Sequence, residues 1–129
     1  METGERKRKK VLIAEGSAFE RVMLTTALEK LDFEVVGTAK DGKEAVDEYK
    51  ELKPDIVLVD AELKGMDGIE VTRIIANQTP SAFVIVLINK SLHLEDIAIE
   101  AVRAGAKGYL MKPLSLLDSS FLAHGRGRV

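Results

Sequence analysis

Along the chain, short apolar runs alternate with longer stretches in which apolar residues return every three or four positions. The runs fall at 11–14, 33–39, 56–59, 83–88 and 109–111. Runs this short, with no polar break, read as strands buried on both faces. The 33–39 run is the least apolar and reads as a sheet edge. Between the runs, 18–31 places Met23, Leu24, Ala27, Leu28 and Leu31 on one helical face, with Ser17 as N-cap. Asp41-Gly-Lys-Glu44 has the form of a capping box and opens a helix with Ala45, Val46, Tyr49 and Leu52 inward, ended by Pro54. Gly68 leads into a third helix with Ile69, Thr72, Ile74 and Ile75 inward, finished near 77–80. A fourth, over 95–104, turns Ile97, Ala98, Ala101 and Val102 inward and is closed by Gly105. A last helix is expected over 114–122, a disordered basic lead over 1–9 and a frayed tail over 123–129.

Strands and helices in strict alternation predict an α/β fold, a parallel sheet with helices on both faces. Right-handed crossovers then bring every strand's carboxyl end to one rim. That rim is where open parallel sheets bind ligands. It carries Glu15 after the first strand, Asp60 after the third, Asn89-Lys90-Ser91 after the fourth and Lys112 after the fifth. Two carboxylates and a lysine on one rim form the candidate site, with Asp60 closing the most regular apolar run.

Composition narrows the field. At 129 residues, 46% hydrophobic and 31% charged, the chain has the make-up of one globular domain. A net charge of -2 argues against nucleic acid as a partner, and the basic run at 6–10 reads as a solvated lead. Without cysteine, disulfides and thiolate metal sites are excluded. No apolar run approaches the roughly 20 residues of a membrane helix, and the 11–14 run does not read as a secretory signal. No membrane association and a cytoplasmic location are therefore expected. No Gly-x-Gly-x-x-Gly follows a strand, so a dinucleotide site is not indicated. No Ser–His–Asp set is evident, and His93 and His124 receive no role. Met23 and Met111 are expected in the core.

Three blocks carry a resemblance. Val11-Leu-Ile-Ala-Glu-Gly-Ser-Ala-Phe19 resembles the first strand and acidic pair of two-component response-regulator receiver domains of the single-domain, chemotaxis-regulator kind. Pro54-Asp-Ile-Val-Leu-Val-Asp60 with Gly65-Met-Asp-Gly68 resembles their phosphoacceptor strand and following loop. Ala104-Gly-Ala-Lys-Gly-Tyr-Leu-Met-Lys-Pro113 resembles their closing motif. The likeness spans residues 10–122. It implies a flavodoxin-like doubly wound sheet of five parallel strands in the order 2-1-3-4-5. It also implies a phosphorelay: a histidine kinase, or a small phosphodonor such as acetyl phosphate, phosphorylates Asp60 with Mg²⁺ present. A downstream protein partner then reads the change, and no separate enzyme activity is expected. By the same resemblance Lys112 binds the phosphoryl group, and Glu15, Asp60 and the backbone carbonyl of Glu62 hold the metal. Ile88 and Tyr109 fall at the switch positions.

The chain departs from the family pattern at three of these places. Gly16 stands where a second acidic residue is expected, which implies weakened Mg²⁺ binding. Ile88 stands at the hydroxyl position when counted from Asp60, and Lys90 when counted back from Lys112, because the 89–94 loop is about two residues longer than usual. Lys64 replaces a proline. Two readings follow. One is a working receiver phosphorylated on Asp60. The other is a pseudo-receiver, a binding module that keeps the fold and signals without phosphorylation.

Overall fold

The computed structural model describes residues 7–112. The helix expected at 114–122 and the tail at 123–129 lie outside them, as do residues 1–6 of the lead. The elements follow in strict alternation: β1 (Lys10–Ala14), α1 (Ala18–Lys30), β2 (Glu34–Ala39), α2 (Gly42–Leu52), β3 (Ile56–Asp60), α3 (Gly68–Gln78), β4 (Phe83–Asn89), α4 (Leu94–Ala104) and β5 (Gly108–Lys112). All neighbouring strands pair in parallel, in the order β2-β1-β3-β4-β5. Ordered pairing begins before β1, since the Glu34 N–H donates to the Lys9 carbonyl at 2.9 Å.

Two apolar clusters sandwich the sheet, and strand periodicity divides them. Leu12, Ala14, Val57, Val59, Val84, Val86 and Ile88 join the cluster that contains residues of α2, α3 and α4. Val11, Ile13, Ile56, Leu58, Ile85, Leu87 and Leu110 join Leu28 and Phe33 on the side of α1. Odd and even positions swap faces because successive side chains in a strand point to opposite sides. The central strands are therefore apolar without interruption, while β2, at the edge, is only partly buried.

Helix starts follow local chemistry. Ser17, Asp41 and Asp67 each accept a hydrogen bond from the backbone N–H three residues on. Gly105 closes α4 at φ 118°, a left-handed value that suits glycine.

Three inward assignments are corrected. Met23 is 55% exposed, beside exposed Phe19 and Val22, because Leu24, Leu28 and Leu31 form the arc that meets the sheet. Val102 is 54% exposed, because α4 seats its small residues Ala98, Ala101 and Ala104. Met111 is exposed on β5, where only Leu110 is buried. Val71, absent from the expected inward face of α3, is fully buried.

Gly68 is where the start of α3 lies against the end of β3. A Cβ there would lie 2.1 Å from the Asp60 carbonyl oxygen and 2.9 Å from the Ala61 Cα. The Thr72 hydroxyl donates to the Gly68 carbonyl at 2.8 Å and holds the turn in place. Gly68→Ala must push backbone apart, so it should destabilise the fold by about 1–3 kcal/mol. Urea unfolding would read this as a lower midpoint, with the slope unchanged.

Candidate functional site

The strand parity that builds the core also builds the site. Glu15 continues the alternation of Val11 and Ile13, Asp60 that of Ile56 and Leu58, and Lys112 that of Leu110. All three side chains therefore leave the sheet rim on the α1 side. The Lys112 ammonium meets Asp60 Oδ2 at 2.5 Å, Glu20 Oε1 at 2.8 Å and Glu15 Oε1 at 3.2 Å. Glu15 and Asp60 are 3% and 4% exposed, whereas Glu20 lies at the mouth with its side chain half exposed.

Each carboxylate is held by further bonds. Asp60 Oδ1 accepts the Glu62 N–H at 2.7 Å, and Glu15 Oε2 accepts the Ser17 N–H at 3.1 Å. Arg21 reaches back from α1 to donate to the Glu15 carbonyl at 2.7 Å and the Gly16 carbonyl at 3.2 Å, bracing the turn between β1 and α1.

The sequence reading placed Glu15, Asp60 and Lys112 together and missed Glu20. A signal for it existed: Ser17-Ala-Phe-Glu20 has the spacing of a capping box, in which the glutamate turns back to the N-terminal backbone. In α2, Glu44 does this, accepting the Lys40 N–H at 2.8 Å. In α1 the Ser17 N–H goes to Glu15, and the Glu20 carboxylate turns to Lys112.

Of the remaining positions, Ile88, Lys90, Ser91 and Tyr109 make no contact with this cluster, while Asn89 and the Glu62 backbone border it. Ile88 is buried among Val84 and Val86 in the cluster on the opposite face of the sheet. Its neighbour Asn89 pairs in register with Lys112 and lines, with Glu20, Lys112 and Phe19, a groove beside α1. Lys90 and Ser91 are exposed, and the Ser91 hydroxyl accepts the His93 N–H at 3.2 Å. Tyr109 is 44% exposed and lines a shallow groove with Ile99 and Val102 of α4. The Glu62 side chain is exposed while its N–H binds Asp60.

Burial first, and then the neighbouring charges, set the protonation of the site. Burial raises the Glu15 carboxyl most, and hydrogen bonding to Asp60 adds to it. The Ser17 N–H and Lys112 oppose them, and the balance lies at about 7. For Lys112, burial alone would lower the ammonium. Its hydrogen bonds to Asp60 and Glu20 outweigh that and hold it above its ordinary range.

The Glu15 shift has a consequence for stability. The unfolded chain releases this proton near 4.5 and the folded chain near 7. Between those values folding takes up a proton, so stability falls as pH rises. In chelator-treated protein the unfolding free energy should drop from about pH 5 to about pH 7, by up to about 1.4 kcal/mol per pH unit. Glu15→Gln should flatten this part of the profile. Urea titrations of both proteins across that range check it, and parallel profiles would show Glu15 ionised throughout.

Comparison with known proteins agrees with this architecture. The response regulator receiver domain family model matches residues 11–118. The chain is 43% identical over 105 residues to the chemotaxis protein CheY of Thermotoga maritima, covering 81% of this chain and 86% of that protein. A receiver-domain crystal structure from Clostridium thermocellum superposes with a TM-score of 0.82 at 28% identity, covering 90% of this chain and 91% of that one. A chain of the Borrelia burgdorferi CheX-CheY-BeF3-Mg²⁺ complex superposes with a TM-score of 0.78 at 29% identity, covering 92% of this chain and 90% of that one. With its strand order, its rim carboxylates and lysine, and these matches, the chain belongs to the response regulator receiver domain family of two-component systems, and resembles the chemotaxis receivers within it.

Proposed function

We propose that this receiver accepts a phosphoryl group on Asp60 from a histidine kinase or a small phosphodonor such as acetyl phosphate, in the cytoplasm. It then signals by binding a downstream protein. The observation that carries this is the Asp60 carboxylate: buried at the strand rim, oriented by the Glu62 N–H and faced by the Lys112 ammonium. In the transfer, a carboxylate oxygen of Asp60 bonds to phosphorus as the donor's P–N or P–O bond breaks. The electron pair leaves with the imidazole or the acyl oxygen. The domain is the acceptor in this reaction and needs no further enzyme activity of its own.

Such a transfer is mostly positioning and charge neutralisation. Lys112 is placed to pair with the phosphoryl oxygens, and the backbone at Glu62 keeps Asp60 turned outward from the strand. Mg²⁺ fits the donor set: Glu15, Glu20 and Asp60 each offer a hard oxygen, and these atoms all lie within 4.8 Å of one another. When bound, the ion would neutralise charge that develops on the phosphoryl oxygens.

A second reading, the pseudo-receiver, is favoured by one observation. Ile88 is buried in the apolar core and has no hydroxyl to bind a phosphoryl group, and the Ser91 hydroxyl is turned to the His93 N–H. A lost hydrogen bond to a charged group is worth roughly 1.5–3 kcal/mol, so coupling from Asp60 to Tyr109 would be weaker than a hydroxyl allows.

Incubation with Mg²⁺ and acetyl phosphate separates the two. Intact mass should show a single phosphoryl adduct, absent in Asp60→Asn and absent when chelator replaces Mg²⁺. No adduct at any Mg²⁺ concentration would leave the pseudo-receiver as the correct reading.

A further inference from the structure

We infer that Glu20 supplies the carboxylate that position 16 lacks, reaching the divalent cation from the first turn of α1. The inference rests on the phosphoacceptor reading above and names a residue outside the expected acidic pair. Three observations carry it. First, Glu20 reaches the same point as Glu15 and Asp60. One ammonium, that of Lys112, contacts all three carboxylates, and an oxygen of each lies within 4.8 Å of the others.

Second, Glu20 is freed for this task by the local backbone. Its capping-box spacing would ordinarily send it back to the Ser17 N–H. Glu15 Oε2 takes that N–H instead, and Arg21 fixes the carbonyls of Glu15 and Gly16. The turn is thereby set so that the first turn of α1 faces the rim.

Third, the position that lost its carboxylate leaves room. A Cβ on Gly16 would meet only the Lys40 carbonyl oxygen, at an ordinary 3.8 Å, and its backbone is not left-handed. Space and strain therefore do not require glycine at 16. A carboxylate from the helix and one from position 16 would serve the same cation, and the chain carries the helix one. Hard cations are held by the number and charge of their oxygen ligands, so losing Glu20 should cost affinity that a new carboxylate at 16 restores.

Direct titration with Mg²⁺ by calorimetry tests this, with Mn²⁺ counted by electron paramagnetic resonance as a second probe. The proteins are wild type, Glu20→Gln, Gly16→Asp, the double variant, and Glu44→Gln as a charge-matched control on α2. Thermal melts in chelator confirm that each is folded. Glu20→Gln should weaken cation binding about tenfold or more. Glu44→Gln should stay within about twofold of wild type. The double variant should return close to wild type, so that Gly16→Asp gains more in the Glu20→Gln background than alone.

Wild-type affinity in Glu20→Gln would overturn the inference and leave Glu20 as a partner of Lys112 only. So would an equal loss in Glu44→Gln, or a double variant no better than Glu20→Gln. If wild type itself bound neither cation, the metal-assisted phosphoacceptor reading would fall, and this inference with it. A wild type that binds beside an unaffected Glu20→Gln would overturn the inference alone.

Discussion

One ammonium holds the functional rim together. Lys112 closes β5 and binds carboxylates from the end of β1, the first turn of α1 and the end of β3. Those carboxylates repel one another, and two of them are almost wholly buried. Taking such charges out of water is costly unless a counter-charge and hydrogen bonds replace the solvent. The lysine offsets one charge, and the backbone N–H groups of Ser17 and Glu62 take further lone pairs. What is left unbalanced appears as the raised Glu15 carboxyl. A rim of this kind is poised to take up positive charge, which is the property the proposed binding of Mg²⁺ requires.

The sheet separates this chemistry from the surface that would report it. Asp60, Glu15 and Lys112 open toward α1. Ile88 lies in the cluster of the other face, and Tyr109 lines the groove beside α4. Any signal from Asp60 to Tyr109 therefore has to cross the sheet at the ends of β4 and β5. There Ile88 pairs with Met111, and Asn89 pairs with Lys112. Ile88 gives that crossing packing without a hydrogen bond, while Asn89 brings a polar side chain to the strand end that registers with Lys112. The exposed Ile99, Val102 and Tyr109 supply apolar surface on the far side.

The fold was largely legible in the sequence because its determinants are local. Apolar runs such as 83–88 have no use for their unbroken hydrophobicity except between two layers of helix. Ser17, Asp41 and Gly105 announce helix ends by their own chemistry. Less legible were the rotational settings of α1 and α4. Met23 and Val102 are apolar and close to the inward arc, so periodicity alone counted them in. Which of several adjacent apolar residues faces the sheet depends on how the helix is turned about its axis, and that is set in α1 by the packing of Leu24, Leu28 and Leu31 and in α4 by its own small residues Ala98, Ala101 and Ala104.

The sequence by itself determined the alternation, the parallel sheet and the rim on which Glu15, Asp60 and Lys112 meet. These follow from periods of hydrophobicity and from the strand ends, each readable within a few residues. Tertiary structure alone decided that Glu20 joins them, because its spacing to Ser17 reads equally well as a helix cap. The choice between cap and site was made by Glu15 taking the Ser17 N–H and by Lys112 arriving from a strand 92 residues away in the chain. A side chain with two local uses is assigned by whichever partner the fold brings within hydrogen-bond distance, and no local pattern records that partner.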